Sequence, residues 1–303
     1  MKLAAVVVLY EPEKIGIEKI FTNLESYCSY CEKIYLVDNS AKEHDFNNKN
    51  FNLVYIFNQN KGGIAGAQNK GCEQAMKDGF EWVMTMDQDS YFDKKEIKNY
   101  INLVEQFIKK DESASSFAPH ILAVNKRVFW TKQIRFKILS PLKRKILGKR
   151  YCPNKVKEIE EKERVIASGN IINLISWKMV KGFDEYLFIS EVDYDFCYKL
   201  RKINKKIIMF NTVYLKQYFG ETQPFTLLKK YHPKYSDIRL YYTFRNAFIE
   251  KKRFPEYKSF YNNLIKEFYW DNCINSIHFI KNRRIFKKAK KDYLQYIKDF
   301  SKP

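Results

Sequence analysis

Residues 82–90 read Trp-Val-Met-Thr-Met-Asp-Gln-Asp-Ser, a short apolar stretch that ends abruptly in two aspartates. A buried β-strand bounded by polar residues has this form. Three similar stretches precede it, and two segments with the periodicity of an amphipathic helix lie between them. The predicted strands are 3–9, 33–37, 53–57 and 82–86, and the predicted helices are 15–27 and 64–77. This alternation predicts an α/β fold around a largely parallel sheet.

The second half of the 303-residue chain is less regular. It contains an apolar stretch at 165–175, a helix signal at 190–202 and a further strand signal at 206–214. From residue 241 the chain has helical character, and Phe260, Leu264 and Phe268 fall on one stripe of an amphipathic helix. These signals predict a helical tail after the last strand.

Polar side chains follow each of the four predicted strands in the first half. They are Tyr10 and Glu11, then Asp38, then Asn60, and finally Asp87, Gln88 and Asp89. In parallel α/β sheets, ligands bind beyond the carboxyl ends of the strands. The sequence therefore predicts that these residues converge on one ligand-binding crevice.

Asp87 and Asp89 are two residues apart, so their carboxylates project to the same side if the backbone stays extended. Oxygen ligands at this spacing suit Mg²⁺ or Mn²⁺ shared with a diphosphate. Because aspartate is also common in turns, a turn without a metal is the alternative interpretation.

Residues 60–71 open the second helix with glycines and alanines, Gly63 among them. Small residues let the backbone approach a ligand or let a helix pack tightly on a sheet, and both interpretations stay open for Ala65 and Ala67. The segment lacks the Lys and Ser or Thr of a P-loop after Gly71, and it does not follow the first strand, as a dinucleotide fingerprint would.

Three carboxylates lie together at the start of the predicted helix 190–202. Ser190 and Asp193 have the spacing of a capping box, which would explain the acids structurally. The functional alternative is that one carboxylate, its pKa raised by its neighbours, serves as a general base.

The net charge of +20 arises entirely in the second part of the chain. Residues 1–125 carry 14 Lys and Arg against 18 Asp and Glu, whereas residues 126–303 carry 41 against 17. Two zones, 126–150 and 245–302, interleave basic with apolar and aromatic residues. Such zones bind anionic lipid, bind nucleic acid or form a solvated surface.

The longest clean apolar run, 3–10, is far shorter than the ~20 residues that span a bilayer, and no secretory leader pattern precedes it. Six cysteines in a chain of this length do not indicate a disulfide framework. We therefore expect a cytoplasmic protein.

Taken together, the motifs resemble family 2 glycosyltransferases of the GT-A fold, most closely the bacterial rhamnosyltransferase-like branch that builds cell-surface polysaccharides. The resemblance extends over residues 3–250. It rests on Val-Val-Leu-Tyr-Glu-Pro at 7–12, Val-Asp-Asn-Ser at 37–40, residues 60–71, Met-Asp-Gln-Asp-Ser at 86–90, Ser168-Gly169, Gly-Phe-Asp-Glu at 182–185 and Tyr-Tyr-Thr-Phe-Arg-Asn at 241–246.

The resemblance implies a role for each matched residue. Asp38 would bind the pyrimidine base, Asp87 would bind the ribose or a metal, Asp89 would ligate Mg²⁺ or Mn²⁺, and Asp193 would be the catalytic base. Other substrate-binding residues implied are Tyr10, Glu11, Asn60, Gly63, Gln68, Gln88 and Gly169, with Arg245 at an anionic acceptor. The metal would act as a Lewis acid toward the departing nucleoside diphosphate.

This sequence departs from the family pattern at three places. Val192 stands where many relatives have Glu, and Lys199 stands where they have Arg. Gln217, three residues before Gly220, occupies the place of a metal-binding His, for which His232 is a substitute candidate.

By resemblance, a GT-A domain would span residues 1–240, with a nucleotide-binding half at 1–125 and an acceptor half at 126–240. The acceptor half would contain a basic insertion near 126–164, and a helical extension would cover 241–303. The implied enzyme is an inverting, metal-dependent glycosyltransferase, peripherally bound to the inner face of the membrane, with a lipid-linked or cell-surface saccharide as acceptor.

The implied donor is dTDP-rhamnose, with a UDP-hexose or UDP-galactofuranose as alternatives. Two readings from other classes remain. The basic second half also suits a nucleic-acid-binding protein, although we expect no nucleic-acid partner because that reading leaves the polar strand ends unexplained. Val192 and Gln217 raise the alternative of a protein with this fold that has lost catalysis.

Overall fold

The structure, a computed structural model, describes residues 1–46, 50–124, 157–218, 222–224, 231–233, 235–274 and 276–300. Only the backbone is described for 222–224, 231–233 and 300. The basic zone 126–150, and with it most of the expected insertion near 126–164, lies outside the described residues.

Eleven strands are present in the described part of the chain, and the four predicted first are all among them. The strands are β1 (Leu3–Leu9), β2 (Lys33–Asp38), β3 (Leu53–Phe57), β4 (Trp82–Asp87), β5 (Ser90–Phe92), β6 (Ala114–Ala123), β7 (Ile159–Glu161), β8 (Asn170–Asn173), β9 (Lys206–Gln217), β10 (Thr222–Pro224) and β11 (Tyr231–Pro233). Nine form one sheet in the order β3-β2-β1-β4-β8-β6-β9-β5, with β7 paired to β9, and β10 and β11 pair separately.

The first four strands are the parallel part of the sheet. β1 lies between β2 and β4 and is parallel to both, and β3 is parallel to β2. β8 is antiparallel to β4 and β6, which are its two neighbours. The predicted α/β fold with a mostly parallel sheet is therefore confirmed, and the four carboxyl ends that carry the polar residues meet at one edge.

Helices cover both faces of this sheet and form the C-terminal part of the chain. They are α1 (Ile17–Glu25), α2 (Gly63–Lys77), α3 (Lys94–Lys110), α4 (Leu174–Met179), α5 (Val192–Lys202), α6 (Asp237–Arg253), α7 (Lys258–Tyr269) and α8 (Phe279–Phe300), with a π-helical turn over Trp270–Ile274. The predicted helical tail is thus confirmed, although its first helix begins at Asp237.

Strand β1 shows why the core has two layers. All seven of its residues are buried, because alternate side chains enter hydrophobic clusters on opposite faces of the sheet. Helix α2 approaches so closely that a Cβ placed on Gly71 would lie 2.4 Å from Cγ1 of Val6. Ala65 and Ala67 are fully buried in the same layer, so tight packing explains the small residues there.

The C-terminal helices have a small core of their own. Leu240 and Phe244 of α6 pack with Cys273 and with Ala289 of α8. In the described ranges we find no helix with both the length and the apolar character needed to cross a membrane. The helices α6 and α8 instead contact each other extensively and lie beside the carboxyl edge of the sheet.

Candidate active site

The strand register sets the spacing of the acidic residues at the carboxyl edge. Leu9 of β1 pairs with Asp38 of β2, and Val8 pairs with Asp87 of β4. Because neighbouring strands lie about 4.8 Å apart, Asp38 and Asp87 are about 10 Å apart across β1. This separation is large enough for a ligand to lie between them.

Gln217, the last residue of β9, joins the two aspartates of the fourth strand end. Its Nε2 donates to Oδ2 of Asp87 at 2.7 Å and to Oδ1 of Asp89 at 3.5 Å. Burial raises the pKa of Asp87, and burial together with the charge of Asp87 raises the pKa of Asp89 to about 7. Gln217, which occupies the place of the family's metal-binding His, therefore lies directly at the paired carboxylates.

Asp193 and Asp87 each hydrogen-bond to one of two consecutive residues, Ala167 and Ser168. The backbone N–H of Ala167 donates to the Asp193 carboxylate, and the hydroxyl of the next residue, Ser168, hydrogen-bonds to Asp87. Consecutive Cα atoms are only 3.8 Å apart, so a very short bridge of backbone connects the hydrogen-bond partners of the two acids. Burial, and the charge of Asp87, raise the pKa of Asp193 to about 7, partly offset by the positive charge of Arg239.

The turn before Asp193 has a strained backbone. Phe188, Ser190 and Glu191 have φ angles of 64°, 66° and 64°, a region that non-glycine residues rarely adopt. Glu191 is the N-cap of α5 and makes no side-chain cap, and Ser190 Oγ instead meets Thr243 Oγ1 at 3.1 Å. The capping box is not formed, so helix capping does not account for the carboxylate of Asp193.

Asn246 of α6 holds this turn in place. Its side chain is fully buried, and its Nδ2 donates to the carbonyls of Leu187, Ile189 and Ser190 at 2.8, 2.9 and 2.9 Å. The motif 241–246 therefore contributes a residue that positions the turn leading into Asp193, a role that the sequence alone did not indicate.

A cleft of about 710 Å³ opens beside the turn that leads into Asp193, and Phe188 and Ile189 of that turn are among its lining residues. The carboxylates of Asp87, Asp89 and Asp193 are not among the described residues that line it. One wall contains Tyr10, Asn60 and the start of α2, and the other contains Arg239 of α6 and Lys288 of α8. Arg239 was missed from the sequence, where the only available signal is its position two residues before the motif 241–246. Its charge acts on both Asp87 and Asp193, which places a cation next to the acidic cluster.

Asp38 lies behind the cleft surface. It is completely buried, and its carboxylate accepts hydrogen bonds from Ser40 N at 2.8 Å and Tyr55 OH at 2.7 Å and pairs with His44 Nδ1 at 2.7 Å. Burial raises its pKa, but these hydrogen bonds outweigh burial and lower the pKa overall. Both oxygens already have partners within the protein, so contact with a base stays a prediction.

Gln88 and Glu11 make hydrogen bonds within the protein. The amide of Gln88 makes two hydrogen bonds of 2.9 Å with the backbone N–H and C=O of Tyr10, which tie the ends of β1 and β4 together. Glu11 has φ 47°, its carboxylate accepts a hydrogen bond from Lys14, and its backbone N–H donates to Ser40 Oγ at 2.9 Å. Of these residues, the structure presents the ring of Tyr10 to the cleft.

The three remaining candidates of the expected nucleotide side lie within the fold. A Cβ on Gly63 would lie 2.2 Å from the carbonyl oxygen of Phe188, so the packing of the protein already requires a glycine here, and contact of Gly63 with a substrate stays a prediction. A Cβ on Gly169 would likewise meet Pro119 at 2.9 Å. Gln68 is buried, and its Oε1 has no hydrogen-bond partner among the described residues.

The structure also places Arg245 within the fold. Its side chain is only 6% exposed, and the guanidinium lies 4.4 Å from the ring of Tyr186 and 4.5 Å from that of Tyr242. It donates to the carbonyl of Tyr186 and to Oδ1 of Asn246. Arg245 therefore stabilises the turn before Asp193, and its contact with an acceptor stays a prediction, whereas Arg239 lines the cleft.

Of the positions that depart from the family pattern, Lys199 has local partners. Lys199 donates to the carbonyl of Gly182 at 2.7 Å and pairs with Asp195 at 2.9 Å. His232 has no described side chain, and Gly220 lies outside the described residues. Across the side chains that are described, no cluster of three or more His, Cys, Asp and Glu residues could hold a metal.

The family model for glycosyl transferase family 2 matches residues 17–169, just over half of the chain. The match begins with α1 and ends at Gly169. The chain belongs to glycosyl transferase family 2. It is therefore a glycosyltransferase that uses a nucleotide-sugar donor. The match contains Asp87 and Asp89 but ends before Asp193.

One curated relative and several solved structures extend this result. The dTDP-rhamnosyl transferase RfbF of Shigella flexneri is 26% identical over 256 residues, which cover 81% of this chain and 78% of that protein. TarS of S. aureus aligns with a TM-score of 0.56 and 17% identity over 97% of this chain, which spans about half of TarS, 49%.

Two further structures carry ligands in their own sites. Residues 1–349 of TarS in complex with UDP-GlcNAc align with a TM-score of 0.55 and 17% identity, over 97% of this chain and 81% of that one. GalNAc-T7 with UDP, GalNAc and Mn²⁺ aligns with a TM-score of 0.54 and 13% identity, over 100% of this chain and 58% of that one. These likenesses confirm the expected GT-A-type fold.

Proposed function

We propose that this family 2 glycosyltransferase transfers its sugar by a single inverting displacement, with Asp193 as the base. The observation that supports the proposal is the bridge of Ala167 and Ser168: Asp193 and Asp87 each hydrogen-bond to one of these consecutive residues, and the charge of Asp87 acts on Asp193. Asp193 would take the proton of an acceptor hydroxyl while the oxygen attacks the anomeric carbon. In the same step the bond between the anomeric carbon and the diphosphate breaks, and its electron pair leaves with the diphosphate.

The pKa of Asp193 suits this role. A general base works best when its pKa lies near the operating pH, and burial with the nearby charge of Asp87 raises this pKa to about 7. The absence of a capping box leaves the carboxylate available for chemistry. These features support the prediction made from the motif despite Val192 at the preceding position.

Asp87 and Asp89 fit a divalent cation of the Mg²⁺ or Mn²⁺ class. Mg²⁺ usually binds through one or two carboxylates, water and substrate phosphates, so a cage of three protein ligands is not required. Gln217 adds an amide whose Oε1 is buried and has no partner in the described part of the protein. When bound, the cation would act as a Lewis acid and offset charge on the leaving diphosphate.

The donor we propose is dTDP-rhamnose. Its support is the activity of the Shigella relative, which is similar over four fifths of this chain. UDP-galactofuranose or another UDP-hexose is the alternative. We assign Tyr10 and Asn60 to the donor because both line the cleft beside the strand ends.

The acceptor we propose is a lipid-linked saccharide at the inner face of the membrane. Its diphosphate would be anionic, and the wall of the cleft formed by α6 and α8 presents Arg239 and Lys288. These cations take the role that the sequence gave to Arg245. The acceptor half and the helical extension expected from the sequence thus would act together on the acceptor side.

Thermal-shift measurements with nucleoside diphosphates, with and without Mn²⁺, test the donor site. A ligand at about 100 times its dissociation constant should stabilise the protein by roughly 2.7 kcal/mol. Donor hydrolysis by the wild type but not by Asp193→Asn would support the base assignment and exclude a protein that has lost catalysis. Equal hydrolysis by both proteins would refute the assignment.

A further inference from the structure

The C-terminal helices expose a concentrated apolar surface, which we call the apolar tip: Trp270, Ile274, Ile277, Phe279 and Ile280. Their exposed fractions are 54%, 39%, 66%, 41% and 59%. These five make up a third of the fifteen large hydrophobic residues exposed in the described part of the chain, yet they fall within eleven positions. Scattered exposed hydrophobic residues need no explanation, but a contiguous patch marks an interaction site.

The apolar tip is held rigidly outward. Arg283 Nε donates to the carbonyl of Cys273 at 2.9 Å, and Asn282 Nδ2 donates to the carbonyl of Asn272 at 2.8 Å. Both acceptors belong to the π-helical turn 270–274, so two hydrogen bonds fasten this turn to the start of α8. The exposed side chains are therefore presented by an ordered scaffold.

Basic side chains follow this apolar surface along α8. Residues 276–291 contain seven Lys and Arg and no Asp or Glu, and all seven are exposed. On the outer face of α8, Ile280 is followed at helical spacing by Arg284, Lys287, Lys291 and Leu294, all exposed. The opposite face, with Asn282, Ala289 and Tyr296, is buried against the protein.

We propose that the apolar tip and the basic outer face of α8 dock on an anionic lipid surface. An interfacial segment combines side chains that enter the acyl boundary with Lys and Arg that remain at the headgroups, as this face does. Nucleic acid suits the surface less well, because three of the five residues are isoleucines, which cannot stack on bases. A second copy would bring two sets of like charges together.

Docking in this way would orient the cleft. Lys281 Nζ pairs with Oδ1 of Asp237 at 2.7 Å, and Asp237 and Lys288 both line the cleft. The mouth of the cleft therefore adjoins the apolar tip, at the level where a lipid-linked diphosphate would lie. The orientation of the cleft toward a lipid-linked diphosphate rests on the proposed acceptor, whereas the docking of the apolar tip does not.

Flotation with vesicles of phosphatidylcholine, with and without phosphatidylglycerol, tests the docking. The wild type should float with the anionic vesicles, and added salt should weaken the binding. The double variant Ile277→Ser with Ile280→Ser should bind about tenfold more weakly or worse, because both side chains would enter the lipid. Lys287→Glu with Lys291→Glu should lose binding as well.

The matched control is Ile175→Ser with Met179→Ser, since these α4 residues are 63% and 59% exposed and lie outside the apolar tip. The control should bind like the wild type. Thermal denaturation and donor hydrolysis should be the same in all variants, so a failed sugar transfer would not be mistaken for failed docking.

Three results would overturn the proposal. One is failure of the wild type to bind anionic vesicles, and another is equal binding by the tip variant. The third is a dimer or an oligonucleotide complex that the tip mutations abolish while vesicle binding persists.

Discussion

Replacing Asn246 with alanine should slow catalysis more than it weakens donor binding. The side-chain amide of Asn246 donates to three carbonyls of the turn that leads into Asp193, at 2.8 to 2.9 Å. Alanine removes these donors and leaves the carbonyls without them in a buried site. The turn contains three residues with positive φ, so it is expected to relax once it is released.

The size of the effect follows from the hydrogen bonds. An amide group has two hydrogens, each worth about 1 kcal/mol net, and a buried carbonyl left unpaired costs about 1–3 kcal/mol. We expect the free energy of unfolding to fall by about 2–4 kcal/mol and Tm by roughly 3–6 °C. A displacement of about 1 Å at the base lowers kcat by about 100-fold, whereas KM for the donor should stay within about threefold.

Asn282→Ala is the matched control for this prediction. Asn282 is also buried and also donates from Nδ2 to a backbone carbonyl, that of Asn272, but it lies in α8. Donor hydrolysis measured at several donor concentrations, together with thermal denaturation, separates the two effects. Asn282→Ala should lose stability and keep kcat. The reasoning is refuted if Asn246→Ala loses stability but keeps kcat, or if both variants lose kcat equally.

Further predictions concern the charges and the packing around the site. With a pKa of about 7 and with Asp87, Glu191 and Arg239 as its charged neighbours, Asp193 becomes protonated as the pH falls, so kcat for donor hydrolysis should drop about tenfold per unit below pH 7. Arg239→Ala should move this acidic limb to higher pH, because the charge of Arg239 lowers the pKa of Asp193, and a pH–rate profile shows the shift. Gln217→His should tighten Mn²⁺ binding by about tenfold in calorimetry without substrate, because imidazole is a metal ligand whereas the Nε2 now facing Asp87 is a donor. Unchanged affinity would argue against a cation at this position. Gly63→Ala should lower Tm, because the new Cβ would lie 2.2 Å from a backbone oxygen at a residue with φ +62°.

The parallel part of the fold could be predicted because its signals are local. The predicted strands 33–37 and 82–86 are observed as Lys33–Asp38 and Trp82–Asp87, one residue longer in each case. Each is a short apolar run bounded by polar residues, and the connection rules for parallel strands then fix the edge at which those residues meet. The position of Gln217 beside the paired aspartates also follows from the family pattern.

The partners of individual site residues could not be predicted, because they come from distant parts of the chain. Nothing near Arg245 in the sequence shows that Tyr186, 59 residues earlier, accepts its hydrogen bond. Likewise, Gly63 is small because of Phe188, and the Gln88 amide is occupied by the backbone of Tyr10. A motif identifies which residue types occur at the site, but only the packing decides whether each one faces a ligand or the protein.

The base assignment shows how the C-terminal helices complete a site that begins in the family-matched region. Residues 17–169 supply the paired aspartates and the Ala167–Ser168 bridge, but Asp193 lies beyond them. Capping by Ser190 would require an extended backbone there, whereas its φ is 66° and α5 begins at Val192. Helix α6 maintains this strained turn through Asn246 and also supplies Arg239 to the cleft. Since one helix positions the proposed base and places a cation beside it, we expect a change in how α6 packs to alter the pKa of Asp193 and the proposed binding of phosphate together.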